Sequence, residues 1–249
     1  MDVSLIIPAY NEEKRIIGTM EHILEFMNRH FHEYEVLVID DGSTDNTVEV
    51  LKRYHDYPLR VFSQETNKGK GQAIKTGMLQ AKGKYVFFTD ADLPYPLSGM
   101  IEAIDIFSKT EAHLVLGSRD LYKERPSAPY PLHRRLMSKA FSIFINGILG
   151  LRIADTQCGF KGFHQNAVKT IFPLVTINGF GFDFEMLYIA KKQGLKMELI
   201  AVDLSHSEGS KVNIVSDSLK MMANAFKVRI NDWRGYYESS DSYHYVEGK

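Results

Sequence analysis

The sequence predicts an α/β fold: a mostly parallel central sheet with helices on both faces, in one domain spanning nearly the whole chain. Three observations point there. Apolar runs alternate with amphipathic segments five times within residues 1–118. Several of those runs are continuously apolar, as strands buried on both faces are. Polar and acidic residues then collect just after successive runs, at the strand ends where open α/β sheets bind ligands.

Val3-Ser4-Leu5-Ile6-Ile7-Pro8 is the first expected strand, stopped by Pro8, which has no N–H for a ladder. Ala9 to Glu13 turns the chain into a helix carrying Ile16, Ile17, Met20, Ile23, Leu24 and Met27 at helical spacing. Glu35 to Ile39 is the second strand. It ends in Asp40-Asp41-Gly42-Ser43-Thr44-Asp45, where Ser43 or Thr44 can cap the next helix. Pro58 to Phe62 is the third strand, and Asn67-Lys68-Gly69-Lys70-Gly71 leads into a helix with Ala73, Ile74 and Met78. Tyr85 to Phe88 is a fully apolar fourth strand ending in Thr89-Asp90-Ala91-Asp92. A helix over Met100 to Phe107 and a strand over Ala112 to Leu116 complete a right-handed βαβ array.

The second half is less regular. It predicts helices over Leu132 to Leu149, Phe182 to Lys192 and Ser216 to Ile230, an extended Thr156 to Phe163, and a strand over Met197 to Val202. The domain is expected to close at residue 235, leaving a Ser-, Tyr- and charge-rich tail over 236–249 without order.

Composition sets outer bounds. Of 249 residues, 44% are hydrophobic and 24% charged, which is ordinary for a globular chain. A net charge of −1 gives no general attraction to nucleic acid, and no nucleic-acid partner is expected. The single cysteine, Cys158, allows no internal disulfide and fits a reducing compartment, where packing is its expected role. Met1-Asp2-Val3 runs directly into a strand, so no signal peptide is expected. The most apolar later stretch, Ala140 to Leu151, is interrupted by Asn146 and falls short of the roughly 20 residues a span needs, so no membrane crossing is expected.

The chemistry concentrates at the strand ends. Asp90 and Asp92 place two like charges one residue apart, an arrangement that calls for a cation, and a divalent metal is the first candidate. No P-loop is present, and Gly69-x-Gly71 lacks the third glycine of a dinucleotide fingerprint. Asp41 to Asp45 begins like a calcium loop, but Asn46 stands at the glycine position and Lys52 at the closing glutamate. Tyr10 and Glu12, Asp40 and Asp41, and Asp90 and Asp92 each fit a cap or turn role singly. Together, after three strands of one sheet, they open onto one crevice. His113, His133, His164 and His206 show no ligand spacing.

Pro8-Ala9-Tyr10-Asn11-Glu12, Asp40 to Asp45, Asn67 to Gly71 and Asp90-Ala91-Asp92 resemble, in order, the signature of the family 2 inverting glycosyltransferases. That resemblance implies the A-type glycosyltransferase fold, with 1–119 as the nucleotide-sugar-binding half and 120–235 as an acceptor and membrane-facing half. Gly117-Ser118-Arg119 and Arg134 to Lys139 resemble the branch that transfers one sugar to a polyprenyl phosphate. Asp155 to Lys161, Phe182 to Glu185 and Glu208 to Lys211 are closest to the dolichyl-phosphate β-glucosyltransferases of that branch.

The resemblance implies that Pro8, Ala9, Tyr10, Glu12, Ile39 and Asp41 hold the nucleoside, joined on the donor side by Lys70, Ala91 and Lys211. Asp90 and Asp92 would hold Mg²⁺ or Mn²⁺ against the diphosphate. Related mannosyltransferases often carry a glutamine two residues after the second aspartate; here that position is Pro94, so water or phosphate oxygens would fill the shell. Arg119, Arg134 and Ser138 would bind the acceptor phosphate. Read without the resemblance, Arg119 is a surface charge, and the Leu132 to Leu149 helix is either a core helix with a solvated face or a basic amphipathic helix at a membrane surface.

The expected activity is transfer of one hexose, with glucose from UDP-glucose favoured, to a polyprenyl or dolichyl phosphate with inversion. The alternatives are mannose transfer from GDP-mannose, a family 2 transferase with a glycan hydroxyl acceptor and Asp183 as base, and a non-catalytic nucleotide-sugar-binding module. The expected place is the cytoplasmic face of a membrane, bound peripherally, with room for a membrane-protein partner.

Overall fold

The structure is a computed structural model, and it describes residues 1–122, 132–153, 155–204 and 214–238, with the side chains of 132–138 and 214–217 left out of that description. The chain runs β1 (Val3–Ala9), α1 (Glu13–His30), β2 (Tyr34–Asp40), α2 (Thr47–Leu51), β3 (Leu59–Ser63), α3 (Lys70–Gln80), β4 (Tyr85–Phe88), α4 (Gly99–Lys109) and β5 (Leu114–Ser118). It continues through α5 (Leu132–Leu149), β6 (Lys161–His164), α6 (Gln165–Ile171), α7 (Phe182–Lys192), β7 (Met197–Ala201) and α8 (Ile214–Trp233).

The seven strands form one sheet in the order β3-β2-β1-β4-β6-β5-β7. All neighbours are parallel except β6, which runs antiparallel to both β4 and β5. This α/β sheet with helices on both faces is the expected fold, with one addition. The later β6 inserts between β4 and β5, so the fourth and fifth strands of the βαβ run are not neighbours. The extended segment expected over Thr156 to Phe163 narrows to β6, whose register sets Phe88 opposite Lys161.

Pro8 does not stop β1. Ile6 O accepts from Thr89 N on the β4 side, and Pro8, two residues on, faces the same way beyond the last β4 residue, Phe88. Its missing N–H therefore leaves no partner unsatisfied, and the strand pairs with β2 as far as Ala9.

Two apolar cores flank the sheet. On one face α1 contributes Ile16, Met20, Ile23, Leu24 and Met27, one stripe of an amphipathic helix, against Leu5, Ile7 and Val38. On the other face α3, α6 and α7 pack Ile74, Val168 and Leu187 against Ile6, Ile39 and Phe88. Gly77 of α3 makes that approach close: a Cβ there would stand 2.5 Å from Ile6. The second core extends past the expected boundary at 235. Tyr237 is fully buried, and its hydroxyl donates to Glu185 Oε1 at 2.7 Å. Residues 239–249 of the expected tail lie outside the described residues. Among the described residues no helix is long and apolar enough to cross a membrane.

Candidate active site

The sheet treats the acids at its two ends differently. At the amino end, Glu35 of β2 is buried and consumed: Ser4 Oγ donates at 2.7 Å, Lys82 N at 2.7 Å and Arg60 Nη1 at 2.8 Å. Those bonds hold its carboxyl below the usual range although burial works against them. At the carboxyl end of the adjacent parallel strands β2, β1 and β4, Asp40 and Asp41 are also buried, whereas Asp90 and Asp92 stay partly exposed.

The loops at that end are stitched together. Asp41 N donates to Ala9 O at 2.8 Å, and Asn11, at φ +54°, donates its N–H to Ser43 Oγ at 2.8 Å. Thr44 N donates to Asn11 Oδ1 at 2.8 Å, and Glu12 N to Thr47 Oγ1 at 2.8 Å. Ser43 and Thr44 therefore bind the β1–α1 turn rather than cap α2, which begins three residues later at Thr47. The Asp41 carboxylate accepts from Lys68 N at 2.8 Å and Gly69 N at 2.9 Å, so the third loop joins the first two. Burial lifts the Asp41 carboxyl, partly offset by those two N–H groups. Gly69, at φ +101°, carries the chain from there into α3.

Of the other expected nucleoside residues, Tyr10 keeps 38% of its surface exposed at the mouth of β1. Glu12 pairs with Arg15 at 3.4 Å. Pro8 is half-buried and Ala9 buried, while the Ile39 side chain lies wholly within the core.

Asp90 and Asp92 follow β4, with about three-tenths of each side chain exposed, 29% and 30%. The loop between them is anchored by Thr19 Oγ1, which donates to Ala91 O at 2.6 Å. Lys70, the first residue of α3, pairs with Asp90 Oδ1, and Arg15 Nη1 lies 3.7 Å from Asp92 Oδ2. Burial and the neighbouring Asp90 charge raise the Asp92 carboxyl above its ordinary value. Burial alone would lower the Lys70 amine, but Asp90, Asp183 and Asp92 together hold it above the usual lysine range. Asp90 also depends on Gly159: a Cβ there would sit 2.7 Å from Asp90 Oδ2.

Behind this pair lies a buried ion pair that sequence reasoning did not single out. Lys161 Nζ, fully buried over the Phe88 ring, donates to Asp183 Oδ1 and to Cys158 O, both at 2.6 Å. Burial pushes the Asp183 carboxyl up against the pull of Lys161 and Lys70. Cys158 is a buried free thiol, pushed up to about 11 by its burial, which fits the expected packing role.

Arg119 is not the solvated surface charge that its neighbourhood in the sequence suggests. Its Nε and Nη2 donate to Asp155 Oδ2 and Oδ1 at 2.8 and 2.7 Å. Asp155 is buried, yet the guanidinium holds its carboxyl below the ordinary range. Of the remaining expected residues, Arg134 and Ser138 fall in the first turns of α5, where the side chains lie outside the described set. Lys211 lies outside the described residues altogether.

A sheet of this topology with an acidic mouth invites comparison with proteins of known family. The model of the family described as Glycosyl transferase family 2 matches residues 4–172. The chain belongs to that family. It is a glycosyltransferase, and its similarity extends into the second half. It is 32% identical to the dolichyl-phosphate β-glucosyltransferase of Dictyostelium discoideum, over 95% of this chain and 76% of that protein. The enzyme of that name from Saccharomyces cerevisiae is 31% identical over 96% and 77%, and the human one 31% identical over 84% and 69%. Among solved structures, glucosyl-3-phosphoglycerate synthase from Mycobacterium tuberculosis with Mg²⁺ and UDP superimposes with a TM-score of 0.67, at 17% identity, covering 91% of this chain and 79% of that one. S. aureus TarS 1-349 gives 0.56 at 21% identity, covering 90% and 65%. At those identities the structures bear on the fold alone, and they place the sheet among the A-type glycosyltransferases.

Proposed function

We propose that this glycosyltransferase moves one glucosyl unit from UDP-glucose to the phosphate of a dolichyl-type polyprenol, inverting the anomeric centre, from a peripheral position at the cytoplasmic face of a membrane. The observation that carries the reading is the extent of the similarity. The relatives named dolichyl-phosphate β-glucosyltransferase cited above match 84% to 96% of the chain, the second half included. A glucosyl-3-phosphoglycerate synthase of like fold holds UDP-glucose and Mn²⁺, a donor and cation of the kind assigned in this reading.

In this reading Tyr10 stacks on the base, while Pro8, Ala9, Glu12, Ile39 and Asp41 shape the nucleoside pocket, Ile39 from behind as core. Asp90 and Asp92 fit a hard divalent cation: two oxygen donors, partly exposed, whose mutual repulsion a cation relieves. Among the described residues no group of three or more His, Cys, Asp or Glu could hold an ion alone. Such a site suits Mg²⁺ or Mn²⁺ shared with substrate phosphates and water. When bound, the ion supplies charge neutralisation on the departing diphosphate. Lys70, paired with Asp90, adds a fixed positive charge to the donor side, and Lys211 is assigned to close over it.

The acceptor needs no general base. A phosphate monoester is largely dianionic near neutral pH, its second pKa being about 6. Its oxygen forms the new bond to the anomeric carbon from the face opposite the donor, and the bond from that carbon to the UDP oxygen breaks with its electron pair. The protein's task is to position and partly neutralise the acceptor, which falls to Arg119, oriented by Asp155, and to Arg134 and Ser138. Asp183 is 5% exposed and tied to Lys161, which suits a structural acid and not the base that a hydroxyl acceptor would require.

A donor screen with dolichyl phosphate and Mg²⁺ tests the reading. Glycolipid from UDP-glucose and none from GDP-mannose is expected; the reverse preference would overturn the donor assignment.

A further inference from the structure

α8 carries an apolar stripe that stays largely exposed among the described residues. Leu219, Phe226, Ile230 and Trp233 are 64%, 54%, 42% and 76% exposed. With Ala223 they follow the i, i+4, i+7, i+11, i+14 spacing of one helical face, while Ala225, Val228 and Asn231 turn inward. Lys220, Lys227 and Arg234, all exposed, run along one edge at the same seven-residue interval. The only acid among the described side chains of this helix, Asp232, faces inward, accepting from the Tyr188 hydroxyl at 2.7 Å and pairing with Lys192. The described part of the face is therefore apolar with a basic margin.

It is also continuous with α5. The two helices pack together, the rings of Phe144 and Phe226 meet edge to face at 6.1 Å, and Ile143 beside them is 70% exposed. α5 is the helix whose first turns carry Arg134 and Ser138.

We propose that the α8 stripe, with Ile143 of α5, is the surface by which this protein lies on an anionic lipid bilayer. The inference rests on the acceptor reading given above, since a polyprenyl phosphate is held by its chain in the bilayer. The helix that meets its phosphate must then stand at that surface. A helix with an apolar face, a basic margin and low overall hydrophobicity sits in the headgroup plane, its apolar side chains just below and its cations at the phosphates. Trp233, with the Arg229 guanidinium 5.8 Å over its ring, and Tyr236, 60% exposed, give the same end of the helix the aromatic residues favoured at such an interface.

The chain holds one tryptophan, Trp233, so its fluorescence reports this face without labelling. Mixing the protein with vesicles of phosphatidylcholine and phosphatidylserine is expected to shift Trp233 emission to the blue and to let brominated acyl chains quench it. The Leu219→Glu, Ile230→Glu double variant is expected to lose both effects while still binding UDP by calorimetry. No shift in the natural protein, or a shift and quenching that survive the double variant, would overturn the proposal. So would light scattering that shows a dimer broken by the same variant, because the face would then cover a second copy of the chain. Transfer to a short, detergent-dispersed polyprenyl phosphate, assayed on the same preparations, separates the two readings. In the natural protein, absence of transfer with vesicle binding intact counts against the proposed function, and absence of vesicle binding with transfer intact counts against this surface.

Discussion

Asp155 grips Arg119 with both carboxylate oxygens, at 2.8 and 2.7 Å, and accepts the Arg119 backbone N–H at 3.1 Å as well. The partners stand 36 residues apart in the chain and meet at the carboxyl end of β5. A bidentate clasp of this kind fixes the plane of the guanidinium, which a lone arginine on a surface loop would not have.

Asp155→Ala is therefore expected to leave a largely buried guanidinium without its partner and to destabilise the protein by about 2–4 kcal/mol, read by urea unfolding near neutral pH. The sign of its pH dependence follows from the lowered folded-state pKa of Asp155. The pair's contribution is fully present above the ordinary carboxylate pKa of about 4 and is lost as pH falls below it through the folded value. The gap between natural and variant proteins should narrow only below that point. A gap already closed at pH 6 would contradict the assignment.

Arg119→Ala and Arg134→Ala are expected to raise the concentration of polyprenyl phosphate needed for half-maximal rate while leaving UDP binding nearly unchanged. Calorimetry with UDP and acceptor titrations of the transfer rate separate the two. Equal loss of both would place these arginines elsewhere than on the acceptor.

Two glycines make a paired test of packing against function. Gly77→Ala crowds Ile6 and Ile39 and should cost about 1–3 kcal/mol of stability with UDP binding preserved. Gly159→Ala pushes on Asp90 and should lower transfer by about a hundredfold, the scale of a misplaced reacting group, with a smaller effect on unfolding. The opposite pattern would mean that the Asp90 position is not critical.

Tyr237→Phe removes a hydroxyl that donates to the buried Glu185, whose other oxygen accepts from Thr176 N and Ile177 N at 2.9 and 2.8 Å. A loss of about 1.5–3 kcal/mol on denaturant unfolding is expected, as for a hydrogen bond to a charged group. No change would show that the fold ends where the sequence alone suggests, before Tyr237.

The parts legible in the sequence were those written locally. The start of α7 at Phe182 and its end at Lys192, the apolar β4 and the acids after it all follow from runs and spacing within a few residues. What was not legible depends on pairing across the chain. Strand direction cannot be read from an apolar run, so the antiparallel β6 between β4 and β5 was invisible, and with it the approach of Lys161 to Asp183. Ser43 and Thr44 read as helix caps because capping is a local habit, while the structure spends them on the β1–α1 turn. The Lys70–Asp90 and Arg119–Asp155 pairs leave no local signal, since each joins residues from different loops.

The central claim is that Asp90 and Asp92 hold the cation and diphosphate of UDP-glucose for attack by a lipid phosphate. The most direct measurement is formation of glucosyl phosphoryl dolichol from UDP-glucose with Mg²⁺, its anomeric configuration read by NMR, in the natural protein and in Asp92→Ala. The account predicts a β-linked product from the α-linked donor, abolished by chelation and lowered about a thousandfold or more in the variant. An α-linked product, or a variant that transfers as fast as the natural protein, would contradict it.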